Sequence, residues 1–363
     1  MVIPLVVSFI VSLVCGIYFI RRTRGHASRY GMDKPQRFHA GHIPRLGGAC
    51  VVAGMAAGWL WAAHSVSANI GWAWAGVFTS LAVVAPSVAG GIYEDVTQRL
   101  SVRVRLALTA LSGVLACWWL DLSVGRLGIP AADGLLAATP WVGIAFAVFA
   151  IAGLPHAFNI IDGYNGLAGA VATLVCLALA HVALQVGDRQ LAAFVLCLAG
   201  ATVGFLAWNY PRGLIFAGDG GAYLWGVTIA IAAVTLVHRH EQVSPWFPML
   251  LLIYPVWETV FSIYRKLVRG TSPGVADALH FHQLIYRRIV RGVFDDDAAR
   301  RMLMRNNRTS PYLWGFTLLT VLPALVFWSN TLALIGFCAL FVCSYVGAYL
   351  MIVRFKVPRW LRR

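Results

Sequence analysis

Four short stretches carry side chains of the kind that handle phosphates. In FNIIDGYNGLAG, Asn159, Asp162 and Asn165 recur at three-residue spacing. One helical turn puts Asn159 and Asp162 on the same face. Oxygen ligands of this kind suit Mg²⁺, which takes few protein ligands and keeps substrate phosphates in its shell. In GGIYEDVTQRLSVRVRL, the adjacent acids Glu94 and Asp95 precede Arg99, Arg103 and Arg105. Carboxylates there could orient or deprotonate a nucleophile while the cations hold phosphates. In WNYPRGLIFAGDGGAYLWG, Asp219 stands among glycines just before an apolar helix. It reads either as a plain cap or as a metal-bearing carboxylate beside a diphosphate. In DALHFHQLIYRRIVR, His280 and His282 lie beside Arg287, Arg288 and Arg291. No further His, Cys or carboxylate follows at zinc spacing. A cationic diphosphate site and a basic helix lying on anionic lipid both fit this segment. A fifth stretch, DKPQRFHAGHIPRLGG, adds Lys34, Arg37, His39 and Arg45.

Apolar segments must position these motifs. The chain has 363 residues, 60% hydrophobic and 12% charged. Soluble domains carry about 25% charged residues. The net charge of +15 could suit nucleic acid, but the basic residues lie between runs of membrane-spanning length, so no nucleic-acid partner is expected. Segments of about 20 apolar residues occur at 2–20, 47–64, 72–92, 104–121, 139–158, 166–186, 190–208, 221–237, 246–264, 312–329 and 331–353. The expected fold is an all-α polytopic membrane protein of about eleven transmembrane helices. The first segment is expected to be retained, since no small-residue cleavage site follows it. With the N-terminus periplasmic and the C-terminus cytoplasmic, only Arg126, Arg189 and Arg239 of the 29 lysines and arginines fall outside. The segments 21–46, 92–105, 157–169, 209–221 and 265–311 are then cytoplasmic, and all the motifs share that face. Residues 1–363 read as a single domain without repeats. The seven cysteines sit in apolar stretches without CxxC spacing, so neither a disulfide framework nor a zinc site is expected. Glu258 is an acid inside a span, and such residues pair or serve function. Arg265 lies seven residues on, about 10 Å along the axis, which is too far for a direct pair.

In order and placement, these motifs resemble the polyprenyl-phosphate N-acetylhexosamine-1-phosphate transferase family. NxxDGxNGLAG followed by GDxG is the specific part, and the resemblance runs from Asp33 to about Arg308. It implies transfer of a sugar 1-phosphate from a UDP-sugar to undecaprenyl phosphate with release of UMP, initiating cell-surface polysaccharide or O-antigen synthesis. It implies Mg²⁺, with Mn²⁺ as a substitute, held by Asn159 and Asp219. It makes Asn165 the uracil contact and places Asp162 near metal and nucleotide. Asp95 becomes the second acid of an acidic pair, and Arg105 a diphosphate contact. His280 and His282 fall in a His-rich loop. The expected catalytic set is Glu94, Asp95 and Asp162. Arg45, Arg105, Asn165, His280, His282 and Arg288 are expected to bind substrate. Glu94, Asn165 and Gln283 depart from the commoner Asp, Asp and His. The implied location is the bacterial inner membrane, with membrane lipids as partners and the assembly left open, a homodimer included. A peptidoglycan translocase activity and a multi-pass transporter or flippase are the competing readings. A transporter would need charge at mid-span, where this chain has almost none.

Overall fold

The computed structural model describes residues 1–22, 43–65, 70–272, 279–290, 292–293 and 295–354. Asp33, Lys34, Arg37, His39, Asp277, Arg291 and the C-terminal tail lie outside the described residues. Among those described, every regular element is helical. In chain order they are α1 (Val2–Arg22), α2 (Gly47–His64), α3 (Trp74–Thr97), α4 (Val102–Trp119), α5 (Pro130–Ala138), α6 (Pro140–Ile161) and α7 (Leu167–Gln185). There follow α8 (Arg189–Asn209), α9 (Gly218–Arg239), α10 (Trp246–Leu251), α11 (Ile253–Val268), α12 (Phe281–Leu284), α13 (Ala298–Val326) and α14 (Thr331–Val353). A single π-helical turn, Ile285–Ile289, follows α12.

Each expected span coincides with one helix or, at 246–264, with two. Among the described residues, nine helices are long and apolar enough to cross a membrane. The exceptions are α2 and the expected span 246–264. Helix α2 has the length, but its glycines and terminal His64 dilute its apolarity. The other is split into α10 and α11 at Leu252. Pro255 suits the restart: proline lacks an N–H and sits in the first turn of α11, where that group has no intrahelical partner. Helix α13 begins at Ala298, well before the expected 312, so part of the 265–311 segment is helix rather than loop.

The core is organised around α9. Its membrane-length stretch is 89% buried, against 22% for α4. Helices α3 and α6 pack on α9, while α2 and α8 join α1 on another side. Apolar α4 turns Val104, Leu111, Val114 and Trp118 outward. A surface of that kind suits a lipid solvent, where backbone groups must be satisfied within each helix.

Candidate active site

The site is built on the start of α9. Gly218 has φ +70°, and the Asp95 carboxylate occupies the space where a Cβ would stand. Only glycine meets both demands. Asp95, near the end of α3, is 3% exposed. Its Oδ1 accepts from the Asp219 backbone N–H at 2.9 Å and its Oδ2 from that of Gly220 at 2.8 Å. A carboxylate from one helix thus caps the N-terminus of another, where free N–H groups and the helix dipole favour negative charge. Glu94, half-buried, accepts from the Leu100 N–H at 2.8 Å and closes the turn between α3 and α4. The backbone before α2 completes the frame: Phe216 N–H donates to the Pro44 carbonyl at 2.8 Å, and Gly48 N–H to that of Ala217 at 2.9 Å.

With its backbone held, Asp219 presents a side chain that two other helices grip. Its Oδ1 accepts from Asn159 Nδ2 of α6 at 2.8 Å. Its Oδ2 accepts from Arg105 Nη1 of α4 at 2.9 Å, both side chains being partly accessible. Asp162 stands just past the end of α6. Desolvation pushes its carboxyl up to about 7; the Arg45 charge opposes this and the Asp219 charge adds to it. Asn159, Asp162, Asp219, Asp95, Arg105 and Arg45 therefore form one electrostatic unit.

Sequence reasoning missed what lies behind it. Thr109 Oγ1 of α4 is 3.2 Å from His156 Nε2 of α6. The His156 ring meets Tyr223 of α9 edge-to-face at 5.1 Å. Tyr223 in turn lies within the electrostatic reach of Arg105 and Asp219. The available signal was helical spacing: His156 precedes Asn159 by one turn and Tyr223 follows Asp219 by one.

Asn165 faces another set of partners. It is 2% exposed. Its N–H donates to Asn306 Oδ1 at 2.8 Å and its Nδ2 to Asn307 Oδ1 at 3.0 Å, while its carbonyl accepts from Ser310 Oγ at 2.6 Å. Next to it, Gly166 N–H donates to Asn209 Oδ1 at 2.6 Å. Asn165 Oδ1 is buried without a hydrogen-bond partner. An unmet buried acceptor costs about 1–3 kcal/mol, so a ligand N–H has something to gain there. Asn306 and Asn307, on α13, are site walls that the motifs do not announce.

Residues 77–237 match the family model described as glycosyl transferase family 4. That stretch holds Asp95, Arg105, Asn159, Asp162, Asn165 and Asp219, the residues just described. Over that stretch the chain is similar to this family. It is 27% identical over 290 residues to a probable undecaprenyl-phosphate N-acetylglucosaminyl 1-phosphate transferase of Bacillus subtilis, covering 77% of this chain and 76% of that protein. An undecaprenyl-phosphate α-N-acetylglucosaminyl 1-phosphate transferase of Escherichia coli K12 is 27% identical over 280 residues, 75% of this chain and 72% of its own. One from Thermotoga maritima is 29% identical over 199 residues, 55% and 58% of the two chains.

The His loop lies beyond the matched stretch. His280 Nδ1 is 3.0 Å from Glu258 Oε1 of α11. The His280 and His282 rings stack at 5.3 Å with planes 9° apart. His282 is 2% exposed, and burial pushes it down to about 3, so its ring is neutral at pH 7. Arg288 is drawn away from the acidic unit: its Nη1 donates to the Ile352 and Val353 carbonyls, both at 2.7 Å, at the end of α14. That arrangement caps a helix C-terminus. Among the described residues, no group of three or more His, Cys, Asp or Glu is placed to hold a metal. Asp219 offers a partly accessible carboxylate and Asn159 a carboxamide whose Nδ2 now faces it; with that amide turned over, the two supply oxygens that fit a divalent cation taking few protein ligands.

Proposed function

We propose that this chain is a family 4 glycosyl transferase that moves a sugar 1-phosphate from a UDP-sugar to undecaprenyl phosphate, releasing UMP. N-acetylglucosamine is the sugar favoured, by the names of the relatives. The product would open synthesis of a cell-surface polysaccharide. The observation that carries the reading is Asp219, set at the N-terminus of the central helix and gripped by Asn159 and Arg105. An anionic oxygen, a carboxamide and a guanidinium meeting at a helix N-terminus suit a diphosphate and its counter-ion.

In this reaction a lipid phosphate oxygen bonds to the β-phosphorus of the donor, and the bond from that phosphorus to the bridging oxygen breaks, leaving UMP. A phosphate monoester is ionised near pH 7, its second pKa being about 6, so the nucleophile needs orienting more than deprotonating. Arg105 and Arg45 counter the phosphate charge. Asp95 keeps Asp219 in place through the backbone of α9. Asn165 Oδ1 accepts the N3–H of uracil. Asp219 and the Asn159 carboxamide oxygen would hold Mg²⁺, which when bound neutralises diphosphate charge; reaching it requires the Asn159 amide to turn over. Glu94, half-exposed beside this unit, orients the incoming lipid phosphate.

The basic residues favour a cytoplasmic site in a bacterial plasma membrane, with eleven spans and an external N-terminus. The test is transfer of radiolabel from a panel of UDP-sugars to undecaprenyl phosphate in purified protein. Mg²⁺-dependent UMP release together with labelled lipid is expected. Absence of labelled lipid with every donor would sink the proposal. A transporter would give neither product.

A further inference from the structure

Away from the acidic unit the chain buries another carboxylate, and the transfer just described does not use it. Glu258 of α11 is fully buried. Its Oε1 accepts from His280 Nδ1 at 3.0 Å and from the Phe281 N–H at 3.2 Å. Its Oε2 accepts from the Tyr345 hydroxyl of α14 at 2.7 Å. An ionised carboxylate can only accept, so His280 Nδ1 carries the hydrogen, and both tautomer and ring orientation are set. Gln283 Oε1 accepts from the His280 N–H at 3.3 Å and holds the start of α12. Arg265, on the same helix as Glu258, lies over the rings of Phe261 and Tyr349.

The line continues toward the active site. His280 stacks on His282, and His282 meets Tyr164 edge-to-face at 5.5 Å. A Cβ added at Gly163 would stand 3.2 Å from His282 Nε2, so the ring rests on the bare backbone of that residue. Gly163 and Tyr164 lie between Asp162 and Asn165. Two helices far apart in sequence thus reach the acidic turn through a carboxylate and two stacked imidazoles. Burying a carboxylate carries a desolvation cost that an apolar side chain would not. Its presence here is accounted for by what it orients.

We propose that Glu258 is a positioning residue for the transfer reaction. It locks His280 and, through the stacked His282, seats the His loop on the Asp162–Asn165 turn. The inference rests on the transferase reading for its kinetic consequence but not for its structural one.

The experiment uses full-length protein in lipid nanodiscs: wild type, Glu258→Gln and Tyr345→Phe. Donor kinetics are measured with UDP-N-acetylglucosamine and undecaprenyl phosphate. Amide hydrogen exchange is followed over 279–285 and 162–167. For Glu258→Gln, kcat should fall roughly 10- to 100-fold, the usual range for a group that orients a functional histidine. Donor KM should move by less than about threefold, since uniform binding is not what is lost. Exchange should rise in both segments. Tyr345→Phe keeps the carboxylate and its bonds to α12, and should shift everything in the same direction by less. Exchange that rises only over 279–285, a rise in KM alone, or an unchanged kcat would overturn the inference. If wild type releases no UMP from any UDP-sugar, the transferase reading fails, and exchange over 162–167 alone decides the positioning. If Glu258→Gln does not fold, Tyr345→Phe decides: unchanged exchange over 162–167 overturns the inference, and increased exchange there upholds it.

Discussion

At the scale of single residues, the carboxylates of the site do different work because their surroundings differ. Asp219 has accessible oxygens held by Asn159 and Arg105. Replacing it with alanine removes the charged partner of both. Asp219→Ala should therefore abolish UMP release, while Asn159→Ala should raise the Mg²⁺ concentration needed for half-maximal rate. Near-normal turnover by Asp219→Ala at low Mg²⁺ would mean that the metal assignment is wrong.

Asp162 differs because burial raises its carboxyl to about 7 from a usual value near 4. The folded state then binds more protons than the unfolded state between those values, so this residue favours folding at low pH and opposes it increasingly toward pH 7. Thermal unfolding in detergent should show Asp162→Asn losing less stability than wild type between pH 4 and 7. Parallel pH curves for the two proteins would refute the shift.

Asn165 gives a third contrast at this scale. Leucine there removes the buried acceptor and leaves Asn307 Oδ1 of α13 unmet, at about 1–3 kcal/mol, or roughly a 5- to 150-fold rise in donor KM. Asn165→Asp keeps an acceptor for uracil but sets an anion against Asn307 Oδ1, at present 3.0 Å from Asn165 Nδ2. It is tolerated only if Asn307 turns its amide, releasing the Pro211 carbonyl that its Nδ2 now holds at 2.6 Å. Donor kinetics for Asn165→Leu, Asn165→Asp and the Asn307→Ala, Asn165→Asp double variant test this. The double variant should recover part of what the Asp loses. A Leu variant that still selects UDP- over other NDP-sugars as wild type does would remove Asn165 from base recognition.

At the scale of elements, the site depends on how closely α3 approaches α9. A Cβ on Gly91 would lie 2.7 Å from the Asp219 carbonyl group and the Gly220 Cα. Those neighbours are backbone and cannot swing aside. Gly91→Ala should cost about 1–3 kcal/mol of stability by overpacking and move Asp219 with it. Both a lower melting temperature and a lower kcat are expected. The two acids ending α3 should separate under the same assay. Asp95→Asn puts an amide NH₂ against one of two N–H donors and should lower both melting temperature and kcat. Glu94→Gln keeps an acceptor for the Leu100 N–H and should leave the melting temperature nearly unchanged. If Asp95→Asn lost kcat with no loss of stability, its role would lie with substrate rather than with α9.

At the scale of the whole molecule, the arrangement of charges predicts how the chain sits in the membrane. A cysteine-free background carrying Arg189→Cys should label from outside intact cells, and one carrying Arg212→Cys should not. Both positions are exposed. Arg126 is a poor probe, because its Nη2 donates to the carbonyls of Val237, His240 and Val243 and replacing it would loosen the end of α9. Labelling at 212 and not at 189 would invert the topology.

What the sequence determined by itself was local. Apolar runs located the helices, because each must satisfy its own backbone in lipid and the pattern that does so is contiguous. Spacing flagged Asn159, Asp162, Asp219 and the acid pair, because polar residues at the ends of such runs stand out. The break at Leu252 and the early start of α13 escaped, since both turn on where a proline or a polar helical turn finds its partners. Tertiary structure decided which acids meet. Asp95 and Asp219 are 124 residues apart and joined by hydrogen bonds to backbone, which no composition or spacing records. His156, Tyr223 and Asn306 joined the site by the same route, as ordinary-looking residues of apolar or basic helices. Glu258 and His280 found each other across 22 residues only because α11 and α14 fold back on α12. A buried polar group must be matched by a partner in space, and for a bundle of many helices that partner is set by packing rather than by order along the chain.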